Sequence, residues 1–291
     1  MSGVAARPGG PEAPHVDLHA HSTASDGSKS PTAVVAAAKA AGLCAIALTD
    51  HDTMDGVAEA VAAADTYGIR VVPGVELSAT DDQREVHLLG LHIQRPSAIE
   101  ESLREFRDRR QARAAQIVAK LNALGVPITF DDVLARAGDA AIGRPHLARV
   151  LIEGGWARDS RDAFDRYLGA GRPAYVAKHR LSVGDAIALV HAGGGLAVLA
   201  HPGPEGRRET IERFVTVGLD GVEVRHPGHT GEDTNRLAAL AEFFRLVPSG
   251  GSDWHGATDG PRVLGVMRVP LAWLQRQDAR VEARRSAATP A

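Results

Sequence analysis

The sequence predicts an α/β protein: stacked βα units forming a parallel sheet or barrel, with a helical insertion in the middle. Three observations carry this. Short apolar runs bounded by turn residues alternate with amphipathic segments at roughly 25-residue spacing, the sign of βα units. That rhythm stops between about 97 and 180, where helix-like segments follow one another with no apolar strand between them. It then resumes to about 275, and 291 residues suit one large domain carrying an insertion.

Residues 1–14 (MSGVAARPGGPEAP) are rich in Gly, Pro and Ala and are expected to be disordered. The barrel's first part is expected over 15–96. Val16-Asp17-Leu18 reads as the end of a buried strand. Pro31 opens a helical run that Gly42 closes, the usual placing of these two residues. CAIALTD (44–50) is a wholly apolar strand of the kind buried on both faces. Thr53 to Tyr67 is an amphipathic helix, IRVVPGVELSA (69–79) a strand, and REVHLLGLHI (84–93) a further strand, hairpin-paired with it.

The insertion over 97–180 begins with a long arginine-dense helix and continues with FDDVLARAG, RPHLARVLIEGG and SRDAFDRYLG. The second barrel part, 181–275, reads as a helix at 182–193, GLAVLAHP, a helix from 208, DGVEV, a helix at 231–245, LVPSGGSDWHG and a last short strand. Residues 276–291 are expected to form a tail that ends in a helix and frays.

Net charge is -3, so no global basic field advertises nucleic acid or membrane, and any anion binding must be local. The single cysteine, Cys44, excludes disulfides and thiolate metal sites; its apolar setting suggests a buried core residue in a reducing compartment. No signal-like or membrane-length apolar segment is present, so a cytoplasmic location is expected.

The chemistry lies where the apolar strands stop. The first ends at His19 and His21, which share one strand face, with Asp26 in the loop beyond. Later strands present Asp50, His51 and Asp52 (TDHDT), Glu76 (GVELS), His87 (EVHLLG), His201 (AHPG), and Asp253 with His255 (GSDWHG). In parallel α/β folds these ends gather on one rim, where active sites form. One or two such histidines could be ordinary loop hydrogen-bonders; six with interspersed carboxylates are better explained as metal ligands. Imidazole and carboxylate without sulfur suit Mn²⁺, Zn²⁺ or Fe²⁺. Nine candidates, at three or four per ion, imply two or three divalent ions, of which Mn²⁺ is favoured. Such centres are suited to phosphate ester hydrolysis.

HAHSTASDG, ALTDHDT, GVELS, VHLLG, AHPG and GSDWHG, in this order, resemble the motifs of the PHP (polymerase and histidinol phosphatase) family. The resemblance spans roughly 16–93 and 195–270. It implies a distorted seven-stranded (β/α) barrel with a trinuclear centre. By the family's pattern His19, His21, Glu76 and Asp253 would hold one ion, and Glu76, His87 and His201 a second. Asp26, His51 and His255 would hold the third. Some members have histidine where Asp26 stands, and the carboxylate here implies a weaker or more metal-dependent third site.

The insertion resembles that of the small bacterial TrpH-type (RNase AM) members. These hydrolyse nucleoside 3′,5′-bisphosphates, and some trim short 5′-monophosphorylated RNA from its 5′ end. Arg110 and Arg113 lie three apart on one helical face, and Arg144 and His146 flank a proline between helices. An arginine run is usually only a solvated face, and most of this helix is read so. By resemblance, these four residues would bind the substrate's 5′-phosphate, for which guanidinium forks are suited. Asp52 is a further candidate, either fixing an imidazole or meeting substrate. Asp17 and Asp50 are assigned supporting roles. His15, His92, His179, His191 and His226 are read as ordinary, and His229 as able to reach the ligand. Trp254 is expected to pack.

The favoured reading is thus a metal-dependent phosphoesterase acting on a nucleotide or short RNA, with no stable protein partner indicated. The alternatives are a histidinol-phosphatase-like monoesterase, which would not need a second phosphate clamp, and a metal-bound regulatory module without turnover.

Overall fold

The computed structural model describes residues 13–82, 84–137, 142–177 and 181–288. Most of the segment expected to be disordered, and His179, lie outside these residues. The chain begins with β1 (His15–Asp17), buried throughout, and α1 (Pro31–Ala40). Ser30 caps that helix by accepting the Ala33 N–H, and Gly42 follows it at φ 75°. β2 (Ala45–Leu48) and α2 (Val57–Tyr67) complete the next unit. β3 (Arg70–Asp81) and β4 (Arg84–Leu91) form a long antiparallel hairpin in which Ser78 faces His87.

The insertion supplies α3 (Glu100–Ala123), α4 (Phe130–Ala137), α5 (Arg144–Glu153) and α6 (Ser160–Ala163). These pack around their own apolar centre of Ile117, Leu121, Leu147 and Leu151, whereas Ile99 and Leu103, at the start of α3, belong to the barrel's core. The chain returns through β5 (Leu181–Ser182), α7 (Val183–Ala192), β6 (Leu196–Leu199) and α8 (Arg208–Thr216). β7 (Gly221–Arg225), α9 (Gly231–Phe243), β8 (Val247–Gly250), β9 (Val269–Pro270) and α10 (Leu271–Ala288) follow.

The strand order is β8-β7-β6-β4-β3-β2-β1-β9, with β5 attached to β3. The Leu18 N–H donates to the Gly250 carbonyl at 3.0 Å, and Ala20 bridges to Trp254, so β1 approaches β8 and nearly closes a barrel. β4 is antiparallel to both β3 and β6. This distorts the expected parallel pattern usefully: the N-terminal half of β4, with His87, lies at the rim where the parallel strands end.

Two expectations need correction. Cys44 is exposed, because its side chain lies just before β2 although its N–H bonds to the His15 carbonyl at 2.9 Å. Residues 276–288 are no loose tail but most of a docked helix. Leu274 is buried in the barrel core, Gln277 donates to the Pro248 carbonyl at 2.9 Å, and Arg284 pairs with the buried Asp220. Among the described residues no helix is long and apolar enough to cross a membrane.

Candidate metal centre and phosphate cleft

Strand alternation sets the first two side chains. Val16, Leu18 and Ala20 belong to the apolar core, while His19 and His21 turn into the barrel mouth with ring centroids 5.2 Å apart. Glycine makes this possible next door: a Cβ on Gly251 would collide with the Cβ of His19. The loop that follows is pinned by Asp50, which accepts the Ser22 N–H at 2.7 Å and the Ser25 hydroxyl at 2.6 Å. That fixes the turn from which Asp26 reaches back. Asp17 likewise supports the rim, accepting the Ser252 N–H at 2.9 Å and the Gly265 N–H at 3.0 Å.

All nine sequence-selected side chains converge there, around Glu76. Its Oε2 lies 3.2 Å from His19 Nε2, His21 Nε2 and His51 Nδ1. Its Oε1 lies 2.7 Å from His87 Nδ1 and 3.0 Å from His201 Nε2. One carboxylate therefore faces two sets of imidazoles. Asp253 Oδ1 is 3.2 Å from His21 Nε2, and Asp26 Oδ1 is 3.2 Å from His255 Nε2. His51 groups with Asp26 and His255, lying 3.9 Å from Asp26, and it also faces Glu76, so it borders both neighbourhoods.

Three non-glycine residues of this rim, Asp52, His201 and Asp253, have positive φ of 51°, 29° and 52°. Backbone strain of this kind persists where surrounding structure enforces it, commonly at functional sites.

The electrostatics indicate what the cluster needs. Burial alone would lower His19, but Glu223, Glu76 and Asp253 outweigh it and hold its pKa well above the usual value. His21 is likewise opposed by burial yet raised to about 10 by the neighbouring carboxylates of Asp253 and Glu76. His51 falls to about 3 through burial, with Glu76 opposing and His21 reinforcing the shift. Burial would raise Asp26, Glu76 and Asp253, yet the surrounding imidazoles hold all three below the ordinary carboxylate range. Buried carboxylates are costly without positive counter-charge. In addition, both ring nitrogens of His21 and Nδ1 of His51 are buried without a hydrogen-bond partner among the described residues. A sulfur-free set of close imidazole and carboxylate donors with orphaned nitrogens fits divalent metal ions.

Sequence reasoning missed Glu223. It lies in the middle of β7, fully buried, where its Oε1 accepts from His19 Nδ1 at 3.1 Å and its Oε2 accepts the His201 N–H at 2.6 Å. An acid between two valines in VEV was the available signal, since a buried charge needs a partner. Arg262, which pairs with Asp253, and His226, whose Nε2 is 3.4 Å from Asp253 Oδ2, had no such local signal. His229 does not reach the cluster: its Nδ1 donates to the Val224 carbonyl and its Nε2 accepts the Gly203 N–H. Trp254 packs, and its Nε1 donates to the Ala257 carbonyl at 2.7 Å.

Across from the cluster the insertion presents its arginines. A cleft of about 240 Å³ has Asp26, His51 and His87 on one wall and Arg110, Arg113 and Arg144 on the other. Arg110 donates through Nε to Asp52 at 3.0 Å, and Asp52 also accepts the Ser78 N–H at 2.8 Å. Asp52 thus orients an arginine. Arg113 donates to the Val176 carbonyl at 2.9 Å, while its buried Nη2 has no partner among the described residues. Burial, with Arg144 and Arg110 nearby, lowers its pKa to about 10. Arg144 lies 5.4 Å from the Phe164 ring centroid and donates to the Leu168 carbonyl, both in a π-helical turn. His146 is buried, and its Nδ1 accepts the Gly143 N–H at 3.0 Å, which fixes the start of α5.

The PHP domain model matches residues 17–125. The chain is 38% identical to a 3′,5′-nucleoside bisphosphate phosphatase of Chromobacterium violaceum, over 86% of this chain and 90% of that protein. It is 39% identical to a 5′-3′ exoribonuclease of Haemophilus influenzae, over 82% of this chain and 89% of the relative. A crystal structure of a metal-dependent phosphoesterase from Bifidobacterium adolescentis superposes with a TM-score of 0.83 at 33% identity, covering 93% and 98% of the two chains.

Proposed function

Because the chain belongs to the PHP family and is a phosphoesterase, we propose that it hydrolyses the 3′-phosphate ester of nucleoside 3′,5′-bisphosphates and of short 5′-monophosphorylated RNA. One observation carries this reading: a cluster of carboxylates and imidazoles faces three arginines across a single cleft. A simple monoester would use the cluster alone. A substrate with two phosphates uses both walls.

His19, His21, Glu76 and Asp253 would hold one divalent ion, Glu76, His87 and His201 a second, and Asp26, His51 and His255 a third. Mn²⁺ is the favoured metal, with Zn²⁺ or Fe²⁺ compatible with the same donors. Bound divalent cations supply an activated water and neutralise charge on the phosphoryl oxygens. Arg110, Arg113 and Arg144 hold the 5′-phosphate, and Asp52 keeps Arg110 aimed at it. His146 braces the turn that carries Arg144. This clamp fixes the distance from the 5′-phosphate to the scissile ester. Water oxygen joins phosphorus, the bond to the 3′-oxygen breaks, and that oxygen leaves with a proton. A bisphosphate yields a nucleoside 5′-monophosphate and inorganic phosphate; an oligonucleotide yields the monophosphate and a shortened 5′-phosphorylated chain. A cytoplasmic setting suits such substrates.

The test is a substrate panel of adenosine 3′,5′-bisphosphate, a 5′-phosphorylated dinucleotide, histidinol phosphate and a 5′-phosphorylated RNA, assayed with Mn²⁺, Zn²⁺ and Fe²⁺. The first two should be hydrolysed best. Efficient turnover of the simple monoester, with the bisphosphate untouched, would overturn the proposal.

A further inference from the structure

A second cavity adjoins the cluster on the side away from the arginines. It measures about 280 Å³ and is lined by Val86, Ala200, Pro202, Thr210 and Phe214, with His87 and His201 at its inner end. Among the described residues only Glu85 and His87 line both this cavity and the arginine cleft, so they form the partition between them. The proposed mechanism does not use this space.

We propose that this cavity receives the base of the nucleotide downstream of the scissile phosphate, which makes it a subsite for oligonucleotides that a bisphosphate leaves empty. The inference rests on the substrate reading above, and its geometry follows from the order of groups along the chain. The 5′-phosphate at the arginines and the scissile phosphate at the cluster bracket the first nucleoside. The next nucleoside is esterified to the scissile phosphorus and so extends past His87 and His201, where the cavity opens. Its walls are largely apolar, as a base face requires. At its edge stand Glu85, beside His87, and Glu205, which pairs with Arg84, so acidic side chains rather than a phosphate clamp border the space. The adjoining surface has the same character, since Asp81, Asp82, Glu85 and Glu205 there outnumber Arg84 and Arg213.

Thr210 is the position from which to block the cavity. It is half-buried in the first turn of α8 and is none of the cluster or arginine residues. In the holoenzyme, Thr210→Phe should lower kcat/KM for a 5′-phosphorylated dinucleotide about tenfold or more, the scale of one lost base contact. Hydrolysis of adenosine 3′,5′-bisphosphate should stay within about twofold, which also reports that the variant is folded with its centre intact. As a second measurement on the unaltered protein, a dinucleotide with an abasic second residue should be cleaved about tenfold less well than the intact one. Equal cleavage of the abasic and intact dinucleotides would overturn the subsite while leaving the bisphosphate activity standing. So would a Thr210→Phe variant that loses nothing on the dinucleotide. A wild-type protein that cleaves neither substrate, yet hydrolyses simple monoesters, overturns the substrate reading and the subsite with it.

Discussion

The barrel rim and the helical insertion face one another across the same cleft, yet they hold charge in opposite ways. The rim gathers carboxylates and imidazoles from separate strand ends onto Glu76, with neighbouring donor atoms roughly 3 to 4 Å apart. Its charge is balanced within the cluster or by bound cations. The insertion carries fixed positive charge on helices: Asp52 pairs Arg110, but Arg113 and Arg144 rest on backbone carbonyls and aromatic faces. Division of labour is the lesson. On the proposed reading the rim would carry out the chemistry on a phosphate ester, and the insertion would choose which ester is brought there.

Glu76→Gln should break the comparison most severely, because one oxygen lost as an anionic donor disturbs both imidazole sets. We expect loss of bound metal and a fall in kcat of about a thousandfold or more on every substrate, read by elemental analysis beside steady-state kinetics. Retention of metal and rate would show that Glu76 is not the shared centre. Arg144→Ala should separate the two regions: kcat/KM for the bisphosphate should drop about 10- to 100-fold, the scale of a charge-assisted hydrogen bond. A simple monoester should be nearly unaffected. Equal loss on both substrates would mean that the arginine wall serves the rim rather than selection. An effect on metal binding rather than on substrate choice is expected from Glu223→Gln, which keeps the shape while weakening the grip on the His19 ring. Metal affinity should fall about 10- to 100-fold, as for other partners that orient ligating histidines, with the substrate preference preserved. A calorimetric titration of the metal-free variant against the wild type measures it, and unchanged affinity would remove Glu223 from the centre's support.

Much of the rim was legible in the sequence because its signals are local. HAH shows its shared strand face by spacing alone, and TDHDT, GVELS and GSDWHG each place their polar residues at the end of an apolar run. Proline at Pro31 and glycine at Gly42 mark helix ends for reasons internal to the chain. Other features depended on neighbours distant in sequence. Asp52 is paired by a residue 58 positions away, and Glu223 reaches His19 across 204. The docking of α10 rests on Asp220 and Pro248, so its sequence alone reads as a charged tail. Cys44 shows the same limit, since an apolar neighbourhood in sequence does not say on which side of the strand's first residue the barrel ends.

The sequence by itself therefore determined the strand and helix rhythm, the identity of the nine clustered side chains and the presence of an inserted arginine-bearing unit. These follow from periodicity, turn chemistry and donor type, which act over a few residues. Only the tertiary structure decided that Glu76 faces two imidazole sets, that Asp52 holds an arginine, and that a second cavity opens beyond His87. Those outcomes depend on barrel closure and on the antiparallel run of β4, which bring distant side chains within hydrogen-bonding reach.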